Sequence, residues 1–266
     1  ETTGAAWRVS GLERGDARLT SRIEDRPAYG GTPSDASVIA AIQHLKARGL
    51  KVVFYPFVLM DISVGNGLPD PYGGAEQAPH PWRGRISVHP APGEPGSPDK
   101  TGTAADQVAA ILGAAGPGDF APADGGIAYS GPDEWSLRRM ILHYAHLCEA
   151  AGGVDAFLIG SELRGLTWTR SDAGTYPFVA GLCDLADDVR GVLRPGTKIS
   201  YAADWSEYFG HQPADGTGDV HFHLDPLWAR SAVDFVGIDV YWPLSDWRDG
   251  DQLDAADAYG PTDLAY

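Results

Sequence analysis

An apolar run in the middle of the chain ends in a carboxylate and reads Val154-Asp155-Ala156-Phe157-Leu158-Ile159-Gly160-Ser161-Glu162-Leu163. Four to eight apolar residues bounded by glycine are typical of a buried parallel strand. In barrels that alternate strands and helices, the chemistry lies where such strands end. Glu162 is therefore a candidate site residue, and the other strand ends indicate whether it has suitable neighbours.

Strands and helices alternate along most of the chain. The patterns predict helices over about 33–48 (with Thr32 as the cap), 103–112, 130–151 (with Ser130 as the cap), 178–193 and 225–231. They predict strands over 50–61, 154–161, 198–203 and 233–243. This order is typical of an α/β fold with a parallel sheet, either doubly wound or closed into a barrel. No glycine fingerprint follows a strand, which disfavours a dinucleotide-binding fold.

One long loop interrupts the alternation at about 62–102. It is rich in glycine and proline and carries Tyr72 and Trp82. A loop of this length inside a compact domain is usually functional or mobile. A second glycine-rich loop is predicted to end at Gly126.

Composition narrows the class of protein. The 266 residues are enough for one large domain, here predicted over 1–266. The formal net charge of −16 is not gathered in one tail, which disfavours nucleic acid as a partner. No apolar run reaches the length of a membrane span, and the N-terminus has no signal-peptide pattern. Cys148 and Cys183 have no CxxC spacing, so we predict neither a zinc site nor a disulfide framework.

Acidic and aromatic residues lie at the ends of the four predicted strands. Apolar faces of sugars stack on aromatic rings, and carboxylates hold sugar hydroxyls, so this pattern favours a carbohydrate site. Cleavage of a glycosidic bond further needs two carboxyl groups, about 5–5.5 Å apart for retention and about 6.5–9.5 Å for inversion. The candidate residues are Asp61, Glu162, Asp204, Trp205, Glu207, Asp239, Tyr241 and Trp242.

Structural roles compete with this interpretation. Asp61 and Asp204 could cap the helices that follow them, and Trp205 and Trp242 could be packing residues. The imidazoles of His221 and His223 and the Asp225 carboxylate could face a metal, but no further ligand lies at a recognised spacing. His143 and His146 fit a simple amphipathic helix. We therefore predict no metal and no cofactor.

Several stretches resemble known families. Residues 49–56, 159–163 and 233–244 resemble the retaining TIM-barrel glycoside hydrolases, which carry an acid/base glutamate after strand four and a nucleophile glutamate after strand seven. A closer resemblance is to the TIM-barrel-like domain of gene transfer agents, which are phage-like particles. In them the domain sits in a large tail-tip protein often labelled host specificity protein. This resemblance rests on residues 7–12 and 55–61, Pro81-Trp82-Arg83-Gly84-Arg85-Ile86, residues 160–167, and Ala202-Ala203-Asp204-Trp205-Ser206-Glu207-Tyr208. Ser161 departs from the asparagine that commonly precedes the glutamate and helps hold a sugar hydroxyl.

The resemblance implies an incomplete barrel. Residues 5–10 would be strand two, 51–58 strand three, 198–203 strand five and 233–241 strand six, with Glu162 ending strand four. Strand one would precede Glu1, and strands seven and eight would follow Tyr266. The chain would then be a segment of a longer protein, with the expected nucleophile beyond Tyr266.

The resemblance also implies a function. The chain would be a tail-tip or baseplate protein, made in the bacterial cytoplasm and placed in an extracellular phage-like particle as a homo-oligomer. Its partners would be other tail proteins and a host polysaccharide or peptidoglycan. Glu162 would be the general acid/base and the other candidates would line the sugar site. Two alternatives remain, namely a non-catalytic glycan-binding or architectural barrel and a free mannanase-like retaining hydrolase.

Overall fold

The computed structural model describes residues 18–23, 26–30 and 32–241. Its elements in chain order are β1 (Arg18–Ile23), β2 (Arg26–Gly30), α1 (Asp35–Ala47), β3 (Val53–Phe54), α2 (Gly102–Leu112), β4 (Phe120–Ala123), β5 (Gly126–Tyr129), α3 (Leu137–Ala150), β6 (Ala156–Ser161), α4 (Arg164–Thr167), α5 (Pro177–Val192), β7 (Lys198–Asp204), α6 (Trp205–Tyr208), α7 (Asp225–Trp228) and β8 (Gly237–Asp239). The predicted strand two at 5–10 lies outside the described residues.

A four-stranded parallel sheet in the order β3-β6-β7-β8 forms the centre of the fold. Within this sheet each strand pairs with the sheet strand that follows it along the chain, and the connections contain helices, as the alternating pattern predicts. The parallel sheet and the mixed α/β class are consistent with a TIM-barrel-like domain. Two antiparallel pairs, β1 with β2 and β4 with β5, complete the described strands.

The core lies between the sheet and the helices α3 and α5. All six residues of β6 are buried, because this central strand is covered on both faces. Phe157 and Ile159 of β6 are fully buried, as are Leu142 of α3 and Leu182 of α5. Cys148 and Cys183 are buried free thiols in α3 and α5, respectively.

Both outer strands are shorter than the sequence predicts. Beyond β3, Pro56 has no N–H to give to a ladder. Before β8, Asp234 replaces the regular ladder: its N–H donates to Ile199 O at 2.8 Å, and its carboxylate accepts from Ile199 N at 2.8 Å. The predicted strands over 50–61 and 233–243 are therefore longer than β3 and β8 in the structure.

Two helix starts are also misplaced in the prediction. Ser34 rather than Thr32 caps α1, and Ser136 rather than Ser130 caps α3. Residues 130–136 instead support the preceding loop, because the Glu134 carboxylate accepts from the N–H groups of Ala114 and Ala115. The second glycine-rich loop is not irregular throughout, since it contains the β4–β5 hairpin.

The long loop has the predicted irregular form. Between Phe54 and Gly102 the chain forms one short 3₁₀ turn, Arg83–Arg85. The loop is held by side chains: Arg85 donates to Asp70 at 3.0 Å and lies 4.2 Å over the Tyr72 ring. Among the helices of residues 32–241, none has the length and apolar character that crossing a bilayer requires.

Candidate functional site

The carboxyl ends of the parallel strands bring four polar residues to one edge of the sheet. Tyr55 follows β3, Glu162 follows β6, Asp204 ends β7 and Asp239 ends β8. The register pairs Asp204 with Asp239, so the two strand ends are level. This is the edge at which α/β proteins bind ligands.

Glu162 lies in a strained turn directly after β6. Its φ is +50°, in the left-handed region that costs a residue with a Cβ about 1–2 kcal/mol. Two hydrogen bonds hold the turn: the Glu162 N–H donates to Ala202 O at 2.9 Å, and the Leu163 N–H donates to the Tyr201 hydroxyl at 2.7 Å. Strain of this kind often marks functional positions, where the surrounding structure fixes one conformation.

The long loop reaches over the strand end and contacts the Glu162 side chain. Trp82 Nε1 donates to Glu162 Oε2, and Arg83 Nη2 lies 3.1 Å from the same oxygen. Glu162 is only 3% exposed as a result. Its second oxygen, Oε1, is buried and has no hydrogen-bond donor.

Gly84 allows this approach of the indole. A Cβ built on Gly84 would meet the Trp82 ring at 2.4 Å, so the ring lies directly against the glycine backbone. The Arg164 guanidinium also lies over the Trp82 ring, 4.9 Å from its centre. Trp82 is thus fixed by a glycine and a cation, and its N–H is directed at Glu162.

A hydrogen-bond network connects Glu162 to Asp239. Arg83 donates to the Ser161 hydroxyl at 2.7 Å, and that hydroxyl donates to Asp239 Oδ2 at 3.2 Å. The Tyr55 hydroxyl also donates to Asp239 Oδ2. The cluster formed by Tyr55, Trp82, Arg83, Ser161, Glu162 and Asp239 is called the carboxyl-edge cluster below.

Burial raises the pKa of the Glu162 carboxyl above its ordinary value. The Asp239 carboxylate raises this pKa further, since two neighbouring negative charges are unfavourable. The hydrogen bond from Trp82 and the charge of Arg83 act in the opposite direction, but the net shift is upward. The carboxyl-edge cluster therefore favours a protonated Glu162, which is the form a general acid needs.

Asp204 and Glu207 have structural contacts. Asp204 caps α6 by accepting from the Ser206 N–H, while Glu207 accepts from the Asp204 N–H, which closes a capping box. Glu207 is almost fully buried and also accepts from Thr167 and Tyr201. Their proposed role in sugar binding thus competes with a role that the geometry already gives them.

The remaining candidates are dispersed. Asp61 lies in the loop after β3, with its carboxylate 3.8 Å from His80 Nδ1. Trp205 begins α6 and is half exposed, and Tyr241 follows β8 and is 83% exposed. Trp242 lies outside the described residues.

Three histidines form a separate cluster around the loop that follows α6. His211 and His221 pair in an antiparallel bridge, and His211 is stacked on Trp168 at 5.1 Å. Burial lowers the pKa of His211 and of His223 to about 4, so both imidazoles are neutral near pH 7. In the part of the chain that the structure describes, no group of three or more His, Cys, Asp or Glu side chains has the geometry to hold a metal ion.

Sequence reasoning missed Tyr55, Trp82 and Arg83 as site residues. All three lie in stretches that carry the family resemblance. Tyr55 lies inside the predicted strand over 50–61, and Trp82 and Arg83 lie in the predicted loop, so none of them stands at a predicted strand end. Trp82 and Arg83 come from the middle of a loop, about 80 residues before Glu162 in the chain. The signal available was the Trp82-Arg83-Gly84 sequence itself, an aromatic and a cation beside a glycine.

Comparison with known families agrees with this architecture. Residues 135–266 match the family model described as the GTA TIM-barrel-like domain. This part of the chain belongs to the gene transfer agent TIM-barrel-like domain family. The match contains Glu162 and Asp239, whereas Tyr55, Trp82 and Arg83 lie before it. A comparison with curated proteins gives no match.

The domain indicates a protein of gene transfer agents and hence a component of a phage-like particle. The parallel sheet with its interleaved helices agrees with the barrel-like description. The resemblance of residues 7–86 extends beyond the matched segment and stays a prediction.

Proposed function

We propose that the chain is part of the tail tip of a gene transfer agent particle, where its barrel-like domain contacts or cleaves a cell-envelope glycan. The observation that carries the proposal is Glu162: a carboxyl group at the carboxyl end of a central parallel strand, with a raised pKa and a neighbouring carboxylate. A protonated carboxyl group in this position suits donation to a glycosidic oxygen.

Exposed aromatic side chains near the same edge support glycan contact. Trp205, Tyr208 and Phe209 lie on or beside α6, which directly follows β7, and all are half exposed or more. Phe222 is 62% exposed and lies beside Gly210, where a Cβ in place of the glycine hydrogen would approach its ring to 3.6 Å. Rings presented this way offer flat apolar faces to sugars, and Tyr241 adds another beyond β8.

In this proposal Glu162 is the general acid/base. Its proton would pass to the leaving glycosidic oxygen, and the ionised carboxylate would then accept a proton from water. A retaining mechanism also needs a second carboxyl group as the nucleophile, so the assay uses intact particles or the full-length tail protein. The other tail proteins and the oligomeric contacts are partners in the same proposal.

The test measures glycan cleavage and glycan binding separately. Envelope polysaccharide and peptidoglycan are incubated with wild type and Glu162→Gln, and new reducing ends are counted. The expected result is a loss of at least about 100-fold in cleavage, the scale of general acid catalysis, with binding retained. Asp172→Asn, a change to an exposed carboxylate in the loop before α5, is the matched control and is expected to cleave normally. Equal cleavage by wild type and Glu162→Gln would refute the assigned role.

A non-catalytic glycan-binding or architectural barrel is the second candidate. The observation that favours it is the cover over Glu162, because Trp82 and Arg83 occupy the carboxylate and leave it 3% exposed. A substrate reaches this carboxyl group only if the Arg83–Arg85 turn moves. If wild type produces no reducing ends but Trp205→Ala weakens glycan binding, this candidate replaces the first.

A further inference from the structure

The two carboxyl oxygens of Glu162 have opposite surroundings. Oε2 accepts from Trp82 and lies 3.1 Å from the Arg83 guanidinium. Oε1 is buried without any donor, although a buried acceptor left unpaired costs about 1–3 kcal/mol, and more if it is charged. Arg83 bonds both to Glu162 and to the Ser161 hydroxyl, and that hydroxyl bonds to Asp239, so the Asp239 carboxylate lies beside Glu162. A carboxylate has no hydrogen to donate.

The surroundings of Asp239 fix it as the acceptor. Tyr55 and Ser161 both donate to its Oδ2. Ser161 has one hydroxyl hydrogen, and Arg83 N–H groups at 3.1 and 2.7 Å occupy its acceptor side, so that hydrogen is directed to Asp239 or to the adjacent Tyr55 oxygen. Burial and the Asp239 charge raise the pKa of Tyr55, so the phenol keeps its proton as a donor.

We propose that Glu162 and Asp239 hold one proton between them, with Glu162 Oε1 as the donor and Asp239 as the acceptor. Asp239 is then a positioning residue that keeps Glu162 in its acid form. The arrangement gives the unpaired oxygen a hydrogen bond and avoids two adjacent negative charges in a buried site. Arg83, Trp82 and Tyr55 face the pair from the long loop and from the segment after β3, and each has a fixed role as a donor.

The proposed pair also bears on the role of Asp239. Two carboxyl groups that flank a sugar in a retaining enzyme are about 5–5.5 Å apart, whereas a shared proton requires the two carboxyl groups in direct contact. In this proposal Asp239 is therefore not the nucleophile. The use of the shared proton in glycan cleavage rests on the proposed function, but the existence of the pair does not.

Infrared spectroscopy on the full-length protein tests the pair without any substrate. A protonated carboxyl group has a carbonyl stretch that disappears on ionisation and shifts with ¹³C-glutamate labelling. Wild type at pH 6 is expected to show this band from a labelled glutamate, and Glu162→Gln is expected to lose it. Asp239→Asn is expected to lose it as well, because the new amide donates an N–H to Glu162 Oε1 and stabilises the ionised form.

Asp204→Asn is the matched control, since it changes a buried carboxylate at the end of the neighbouring strand, and it is expected to keep the band. Glu207 also has a raised pKa, so all variants are compared in a Glu207→Gln background. Wild type without a band lost in Glu162→Gln, or an unchanged band in Asp239→Asn, overturns the proposal. A shared proton in a protein that cleaves no glycan would confirm this inference while refuting the catalytic function.

Discussion

Removing the Tyr201 hydroxyl gives the sharpest test of how the site is held. Tyr201 is fully buried in β7, and its hydroxyl both donates to Glu207 Oε1 at 3.0 Å and accepts from the Leu163 N–H at 2.7 Å. Tyr201→Phe keeps the ring and deletes both bonds. The bond to a carboxylate contributes about 1.5–3 kcal/mol, and an orphaned buried N–H costs about 1–3 kcal/mol. Since Thr167 still donates to Glu207, we expect a total loss of about 2–4 kcal/mol in the free energy of unfolding.

Urea unfolding followed by circular dichroism measures this loss as a lower midpoint with an unchanged slope. Tyr208→Phe is the matched control, because that hydroxyl belongs to a half-exposed residue on α6, and its effect is expected to stay within about 0.5 kcal/mol. A Tyr201→Phe protein as stable as the control would refute the idea that this hydroxyl anchors the Glu162 turn. Faster hydrogen exchange at the Leu163 N–H in Tyr201→Phe would locate the effect at that turn.

Three further predictions concern ionisation and packing. Burial raises the pKa of Glu207 to about 7, so the stability that this residue contributes is complete below pH 4.5 and falls by about 3 kcal/mol as pH rises through 7. The Glu207→Gln variant is expected to lose this pH dependence, which is measured as the difference in unfolding free energy between pH 5 and 8. Burial lowers the pKa of His223 to about 4, so the stability that this residue contributes is complete above pH 6.5 and falls by about 3 kcal/mol on acidification to pH 4. The His223→Leu variant is expected to lose this acid sensitivity, and an unchanged midpoint of acid unfolding would contradict the prediction. Gly165→Ala places a Cβ 2.4 Å from Ile86 O and is expected to cost about 1–3 kcal/mol, whereas Gly191→Ala, with open space around it, should cost nothing in the same thermal unfolding assay.

Strand order was accessible from the sequence because buried parallel strands are continuous apolar runs. The β6 segment and its position beside β7 follow from such runs separated by helices of fitting length. Helix starts were less accessible, because Ser130 and Ser136 have the same capping chemistry. Only the contacts of Glu134 with the preceding loop decide between them. The β4–β5 hairpin was not predicted, because its strands are short and its glycines and prolines are typical of a loop.

The site divides along the same lines. Glu162 and Asp239 lie at strand ends and were chosen as candidates, since a carboxylate at the end of a continuous apolar run is visible along the chain. Trp82 and Arg83 were not predicted as site residues, because the sequence of an irregular loop has no periodic pattern that indicates which part of the fold the loop contacts. The capping-box contacts of Asp204 and Glu207 likewise depend on the exact turn between β7 and α6.

The sequence by itself determined the parallel α/β sheet, the position of Glu162 at a strand end and the family resemblance, because each depends on local order along the chain. The tertiary structure decided what surrounds that carboxyl group. It brought an indole and a guanidinium from the long loop onto one oxygen and left the other buried without a donor. Those contacts join residues about 80 positions apart, and the raised pKa of Glu162 comes from burial and from the Asp239 charge, which are both properties of the folded chain.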